Sequence, residues 1–306
     1  MKFRKSAAMA AVSALALTAT ACGGENSSAG NDAKAPAATE SAKTWKYPVA
    51  KDAQVEGSPA FKAAKARGKL IIGAKSDQPY LGFEDQATKK RSGFDIEIAT
   101  MVAADLGFTP DQIQWKSFNS DQRETAIAQG QVDYYVGTYS INSKRKKKVG
   151  FAGPYYKAGA DLLVRKDEAD ITGKTSLTGK KVCSIKGSTP LQEIQKPEYG
   201  ARVVELGNYT DCVKQLLAGR IDAVTTDDSI LKGFAAQDPT RLKVVGEPFT
   251  TELYGIGVDK QDKALRAAIN ESLTKHVKDG TYKKIYNSTL GLSGSMYTEP
   301  PAVNNY

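Results

Sequence analysis

From residue 69 onward, short apolar runs alternate with segments whose apolar residues recur every three or four positions. Lys69-Leu70-Ile71-Ile72-Gly73 reads as a buried strand. Phe94, Ile98, Met101, Val102 and Leu106 then recur at helical spacing, and Gly107 supplies the stop. Val132-Asp133-Tyr134-Tyr135-Val136 reads as the next strand. Lys181-Val182-Cys183-Ser184-Ile185, Val203-Val204 and Asp222-Ala223-Val224 follow as short strands with helices between them. Segments 265–277 and 282–290 are predicted as amphipathic helices. Strands alternating with helices predict α/β layers with largely parallel sheets. No internal repeat is visible.

The flanks break this rhythm. A basic start is followed by an apolar run over residues 6–21, shorter than the roughly 20 residues needed to span a bilayer and typical of a secretory signal. It ends Leu17-Thr18-Ala19-Thr20-Ala21-Cys22-Gly23-Gly24. Small residues before a Cys resemble the bacterial lipobox, which implies a signal peptide over 1–21 and a lipidated Cys22 as the mature first residue. Ala19 stands where that pattern usually has Leu. Residues 22–58 are Ala, Ser, Gly, Asn, Lys and Glu with few large apolar side chains, and are predicted as a disordered tether. Residues 293–306 hold two adjacent prolines and no period, and are predicted as a loose tail.

Composition narrows the class. The chain has 306 residues, 41% hydrophobic and 25% charged, which is globular and long enough for two packed domains. Its formal charge is +9; without Lys2, Arg4 and Lys5 the balance is 40 basic to 34 acidic, or +6. So mild an excess suits an anionic ligand or a cell surface and does not call for nucleic acid. If Cys22 carries lipid, Cys183 and Cys212 remain. Outside the cytoplasm they are expected to form a disulfide, the alternative being two separate buried thiols. Two Cys and the single His276 give no basis for a metal site, and no cofactor is expected.

Candidate chemistry sits after strands. Gly137-Thr138-Tyr139-Ser140-Ile141-Asn142-Ser143-Lys144-Arg145 places hydroxyls in a loop, and Asn142 or Ser143 can cap the helix that Arg145 enters. Gly187-Ser188-Thr189-Pro190 combines a tight turn with a Pro suited to a helix start. Thr225-Thr226-Asp227-Asp228 closes another strand. Open α/β sheets bind ligands at these carboxyl ends. A free amino acid brings a carboxylate, best met by Arg and backbone N–H groups, and an ammonium, which needs a carboxylate. Singly, such loops are more often ordinary helix caps, and the lysines around Arg145 a solvated face.

In order, however, Gly93-Phe94-Asp95-Ile96-Glu97-Ile98, Gly130-Gln131-Val132-Asp133, the Thr138–Arg145 loop and Phe151-Ala152-Gly153-Pro154-Tyr155-Tyr156 resemble the polar-amino-acid solute-binding proteins of ABC importers, family 3. Gly179-Lys180-Lys181-Val182, Gly219-Arg220-Ile221-Asp222-Ala223-Val224 and Tyr254-Gly255-Ile256-Gly257-Val258 extend the match over residues 69–290. It is similar above all to actinobacterial glutamate-binding lipoproteins, through Asp77-Gln78-Pro79, Val136-Gly137-Thr138-Tyr139, Lys181-Val182-Cys183-Ser184 and Ala223-Val224-Thr225-Thr226-Asp227.

The resemblance implies a two-lobed periplasmic-binding-protein type II fold with a hinge and a central cleft. Lobe one would comprise 59–158 plus 251–292, and lobe two 159–250. Arg145 would grip the α-carboxylate, helped by Thr138, Ser140 and Thr189, and Asp227 would receive the α-ammonium. Lys75 stands where basic-amino-acid binders carry Asp, and Ser120 and Arg123 match positions directed at a side-chain carboxylate. Gln78 and Leu81 depart from the family by standing near where many relatives carry aromatics. The implied protein is a monomer on the outer face of the cell membrane, held there by lipid on Cys22. It would deliver L-glutamate or a related polar amino acid to permease subunits. The other classes are a dehydratase of the same fold and a surface sensor or adhesin. Against an enzyme, His276 lies far in sequence from the cleft motifs and no Gly-x-Ser-x-Gly elbow is present. Glu252 and Asp77 are the carboxylates that would bring acid–base chemistry to the cleft.

Overall fold

The computed structural model describes residues 45–304 and 306. The signal segment 1–21, Cys22 and the first part of the tether lie outside the described residues. Helix α1 (Pro59–Arg67) leads into β1 (Leu70–Ala74), the short strands β2 (Asp77–Gln78), β3 (Gly82–Glu84) and β4 (Arg91–Ser92), and α2 (Phe94–Asp105). Then come β5 (Ile113–Ser117), α3 (Arg123–Ala128), β6 (Tyr134–Tyr135), α4 (Ser143–Lys146) and β7 (Gly150–Ala158). The chain continues through β8 (Ala160–Arg165), β9 (Lys181–Ile185), α5 (Thr189–Ile194), β10 (Arg202–Leu206), α6 (Tyr209–Leu217), β11 (Ala223–Asp227), α7 (Asp228–Gln237) and β12 (Leu242–Val245). It ends with β13 (Glu252–Val258), α8 (Lys263–Lys278) and α9 (Thr281–Asn287).

These strands make two five-stranded sheets, ordered β5-β1-β6-β13-β7 and β10-β9-β11-β8-β12. In each, two strand pairings are parallel and two antiparallel, so that four strands share one direction and one opposes them. The sheets are therefore mixed: most strands share one direction, as the alternation predicts, and one opposed strand interrupts each. Direction is set by the chain's two passages between lobes. It leaves sheet one along β7, enters sheet two along β8, and returns through β12 to β13. Of these, β13 and β8 run against the other four strands of their sheets, while β7 and β12 run with the rest, a feature no local pattern encodes.

The two passages touch. Gly159, between β7 and β8, lies so close to the returning segment that a Cβ would meet Thr250 O at 2.3 Å. Ala160 N–H donates to Thr250 Oγ1 at 2.8 Å, and Phe249 N–H to Ala160 O at 2.8 Å. Two adjacent extended segments of this kind are where a hinge can bend without unpacking either core.

Lobe one is closed by α2, whose residues are buried on nearly every face between the sheet and helices α8 and α9. Its first residue, Phe94, stands edge-on to Tyr156, Tyr282 and Tyr286. Such pairs add about 0.5–1.5 kcal/mol each beyond burial. The same tyrosines hold the carboxyl-terminal segment. Tyr297 meets Tyr286 at 5.2 Å between centroids, and Asn304 N–H donates to Gly153 O at 2.8 Å. The segment expected as a loose tail is thus irregular but packed. Likewise residues 45–58 pack on lobe one, where Trp45 Nε1 donates to Ser288 Oγ and Tyr47 Oη to Glu97 Oε2. The part of the predicted tether over 45–58 is therefore packed on lobe one, anchored by two aromatics. Among the described residues no helix is long and apolar enough to cross a membrane.

Candidate ligand-binding site

The loops singled out in the sequence converge where the two sheets face one another, and the cleft is closed. Gly187 shows how closely the lobes approach. At φ +78°, its missing Cβ would lie 2.5 Å from Asp121 N of lobe one. Only glycine accepts both that dihedral and that contact. The space left between the lobes is lined from lobe one by Gln78, Ser120, Arg123, Thr138, Ser140 and Arg145. Lobe two contributes Ser188, Thr189, Pro190, Tyr209, Thr226, Asp227 and Ile230. A larger groove beside Glu271, Lys275 and Lys278 is open to solvent and gathers no buried charge.

Arg145 is placed by its local sequence. Asn142 caps α4, accepting from Arg145 N–H at 2.9 Å, and this aims the guanidinium inward. Nη1 donates to Ser140 O at 2.7 Å, Nη2 reaches across to Gly187 O at 2.9 Å, and Nε faces Glu124 Oε1 at 3.2 Å. A guanidinium has five N–H groups, so one remains on each terminal nitrogen for a carboxylate. Burial and the Arg123 charge hold its pKa down to about 10.

Arg123, 2% exposed, lies over the Tyr139 ring at 4.4 Å, and Arg145 over the same ring at 4.9 Å. Arg123 Nε donates to Ser120 O, and Nη1 to the Gly137 and Thr138 carbonyls. Lys75, at the end of β1, is not in the cavity surface itself. It stands behind Ser120, its Nζ donating to Ser120 Oγ at 2.9 Å and to Phe118 O at 3.3 Å. Burial, then the neighbouring Arg123 charge, pulls its pKa down to about 7. An ammonium can only donate, so Ser120 Oγ accepts from Lys75 and keeps its own O–H for the cavity. Among the described residues neither Lys75 nor Arg123 has a carboxylate within ion-pair distance.

Opposite this cationic wall lies Asp227. It holds the N-cap position of α7 yet makes no cap bond. Oδ2 accepts from Tyr254 Oη at 2.6 Å, while buried Oδ1 has no hydrogen-bond partner. Burial, reinforced by the Glu252 charge, lifts its pKa to about 8. A buried carboxylate oxygen left without a donor is costly unless the site is built to receive one.

Further contacts tie the two walls together. Ser140 Oγ and Thr189 Oγ1 are 3.3 Å apart, and Thr189 Oγ1 donates to Glu252 Oε2 at 3.0 Å. Thr138 sits at φ +43°, strained for a β-branched residue, with its N–H bonded to Asp95 Oδ2 at 3.0 Å. Gln78, Tyr209 and Ile230 join the lining without having been singled out as site residues. Tyr209 follows the Gly207-Asn208 helix cap at the carboxyl end of β10, so the rule that found the other loops points to it as well. Cys183 and Cys212 form a disulfide joining β9 to α6.

Two lobes of matched mixed sheets, joined by paired crossings and closed on a cavity with one cationic and one carboxylate wall, define a two-lobed amino-acid-binding protein of the periplasmic type II class. Residues 70–291 match the bacterial extracellular solute-binding proteins, family 3, and the chain belongs to that family, whose members work outside the cytoplasm. It is 38% identical over 254 residues to the glutamate-binding protein GluB of Corynebacterium efficiens, covering 80% of this chain and 86% of that protein. It is 36% identical to the ABC transporter glutamine-binding protein GlnH of Bacillus subtilis, over 74% of this chain and 83% of the relative. The solved structure of an ancestral arginine-binding protein bound to glutamine superposes with a TM-score of 0.69 at 36% identity, covering 74% of this chain and 99% of that one.

Proposed function

We propose that the protein is the lipid-anchored binding subunit of an ABC importer, capturing L-glutamate by closure of its cleft and presenting it to membrane permease subunits. The observation that carries the choice of ligand is the uncompensated charge of the wall: Lys75 and Arg123 lack a carboxylate partner, while Asp227 Oδ1 lacks a donor. A bound glutamate answers both. Its ammonium supplies Asp227, its α-carboxylate takes the remaining N–H groups of Arg145 with the Thr189 loop, and its side-chain carboxylate meets Arg123 and the Ser120 hydroxyl. Arginine or lysine would set a third cation beside Arg123 and a Lys75 whose charged form burial and Arg123 already disfavour. The relatives named above support the reading, since a glutamate binder and a glutamine binder are both among them.

Replacing Arg145 or Asp227 with Ala strands a buried ligand charge and is expected to cost about 3–5 kcal/mol. That corresponds to a hundred- to thousand-fold or greater loss of affinity. A loss below tenfold in calorimetry would remove that residue from the site. Anchoring is tested by Cys22→Ala, which should release the protein or leave uncleaved precursor. A membrane-bound, normally processed variant would contradict it.

A further inference from the structure

Gln78 ends β2 and is 1% exposed in the cavity wall, on the same lobe as Ser120, Arg123 and Thr138. Its backbone is held by pairing with Gly82 of β3. The next residue, Pro79, lies against α7 of lobe two, where a Cβ on Gly233 would meet Pro79 O at 2.5 Å. The β2 turn therefore sits at the closing edge of the cleft. The Gln78 amide is half engaged. Oε1 accepts from Thr138 Oγ1 at 3.1 Å, and Nε2 makes no hydrogen bond with any described residue. The hydroxyl that orients it is itself fixed, because Thr138 is held by Asp95 at its N–H and by Arg123 Nη1 at its carbonyl. The result is an oriented amide with an uncommitted donor, on a side chain that would bury a polar group needlessly if it only filled space.

We propose that Gln78 is a specificity-determining contact that donates its amide N–H to the terminal carboxylate of the bound amino acid's side chain, beside Arg123 and Ser120. The inference rests on reading the cavity as an acidic-amino-acid site. A carboxylate offers about four lone-pair positions, more than Arg123 and Ser120 fill. Gln78 adds a donor without adding charge, and this matters because the Arg123 charge already disfavours a protonated Lys75 behind Ser120. An aromatic here, as the family resemblance leads one to expect, would cover the ligand with a ring face and leave that oxygen unpaired. The same amide donates to a glutamine ligand's carbonyl oxygen only as one neutral group to another, roughly half as strong an interaction.

The decisive substitution is Gln78→Glu. It keeps the shape and the oxygen facing Thr138 but turns the donor into an anionic acceptor. Calorimetric titration of wild type and variant with L-glutamate and L-glutamine, alongside melting temperatures to confirm folding, reads the effect. Glutamate affinity is expected to fall about 100-fold or more, through a lost charge-assisted bond and a new like-charge contact. Glutamine, whose amide N–H2 can donate to the new carboxylate, should lose less than tenfold, so that the preference for glutamate shrinks by about tenfold or more. Gln78→Leu should also lower glutamate affinity more than glutamine affinity. If wild type binds glutamate but both variants weaken the two ligands by the same factor, Gln78 only braces Thr138 and the contact is refuted. If wild type binds neither amino acid, the acidic-ligand reading fails and the Gln78 contact falls with it.

Discussion

Asp77 of lobe one accepts a hydrogen bond at 3.0 Å from the backbone N–H of Tyr209, the first residue of α6 in lobe two. The carboxylate meets the positive end of a nine-residue helix, an interaction that exists only while the lobes are together. Thr210 Oγ1 adds a bond to the Asp77 carbonyl at 3.4 Å. Asp77 is not itself in the cavity lining and meets Tyr209 only at its backbone, so the contact should bias closure more than selectivity. Asp77→Ala is expected to weaken every bound amino acid by a similar factor of about ten, as loss of a charge-assisted bond implies. Titrations with two different ligands check this. A change confined to one of them would make Asp77 a ligand contact instead.

Two groups in the site titrate where binding can be measured. Ionised Asp227 is the form that binds an ammonium, and burial with the Glu252 charge lifts its pKa to about 8. As pH falls below 8, binding must expel a proton from Asp227 and affinity declines. Charged Lys75 is the form that favours an anion, and burial with the Arg123 charge lowers its pKa to about 7. As pH rises above 7, binding must take up a proton and affinity again declines. Glutamate affinity is therefore expected to peak between about pH 7 and 8 and to fall by up to tenfold per pH unit on either side. Lys75→Met should flatten the alkaline limb alone. A pH-independent affinity from 6 to 8.5 would contradict these assignments.

The disulfide ties α6, which carries Tyr209, to β9, which leads into the Gly187–Thr189 loop. With 29 residues separating the cysteines, the chain-entropy relation gives about 3–4 kcal/mol of stabilisation. Cys183→Ser with Cys212→Ser should lower the unfolding free energy of the protein by that order in urea. An unchanged denaturation midpoint would show that the link constrains nothing in the unfolded chain.

What the sequence made legible was local. Each of the three site loops follows a strand and carries helix-cap residues, so their place at the mouth of the sheets could be read from type and spacing. The disulfide followed from export and from the cysteines remaining beside Cys22. The one opposed strand in each sheet was not legible, because β8 and β13 take their direction from the chain crossing twice between lobes. Nor was the packing of Tyr297, which depends on Tyr282 and Tyr286 being brought together by α9. Gln78 was visible only as a departure from the family pattern. It lies in a two-residue strand with no period, and its orientation depends on Thr138, 60 residues away. Lys75 was identified by position, but its place behind Ser120 depends on how the loop after β5 folds back on β1.

The central claim is that a cationic wall facing Asp227 selects an acidic amino acid, and competition calorimetry on the mature protein near pH 7.5 tests it most directly. L-glutamate should bind more tightly than L-glutamine by at least about 1.5 kcal/mol, the lower value for a hydrogen bond to a charged group, with L-aspartate weaker than glutamate and L-arginine undetectable. Tighter binding of glutamine or arginine than of glutamate would contradict the account.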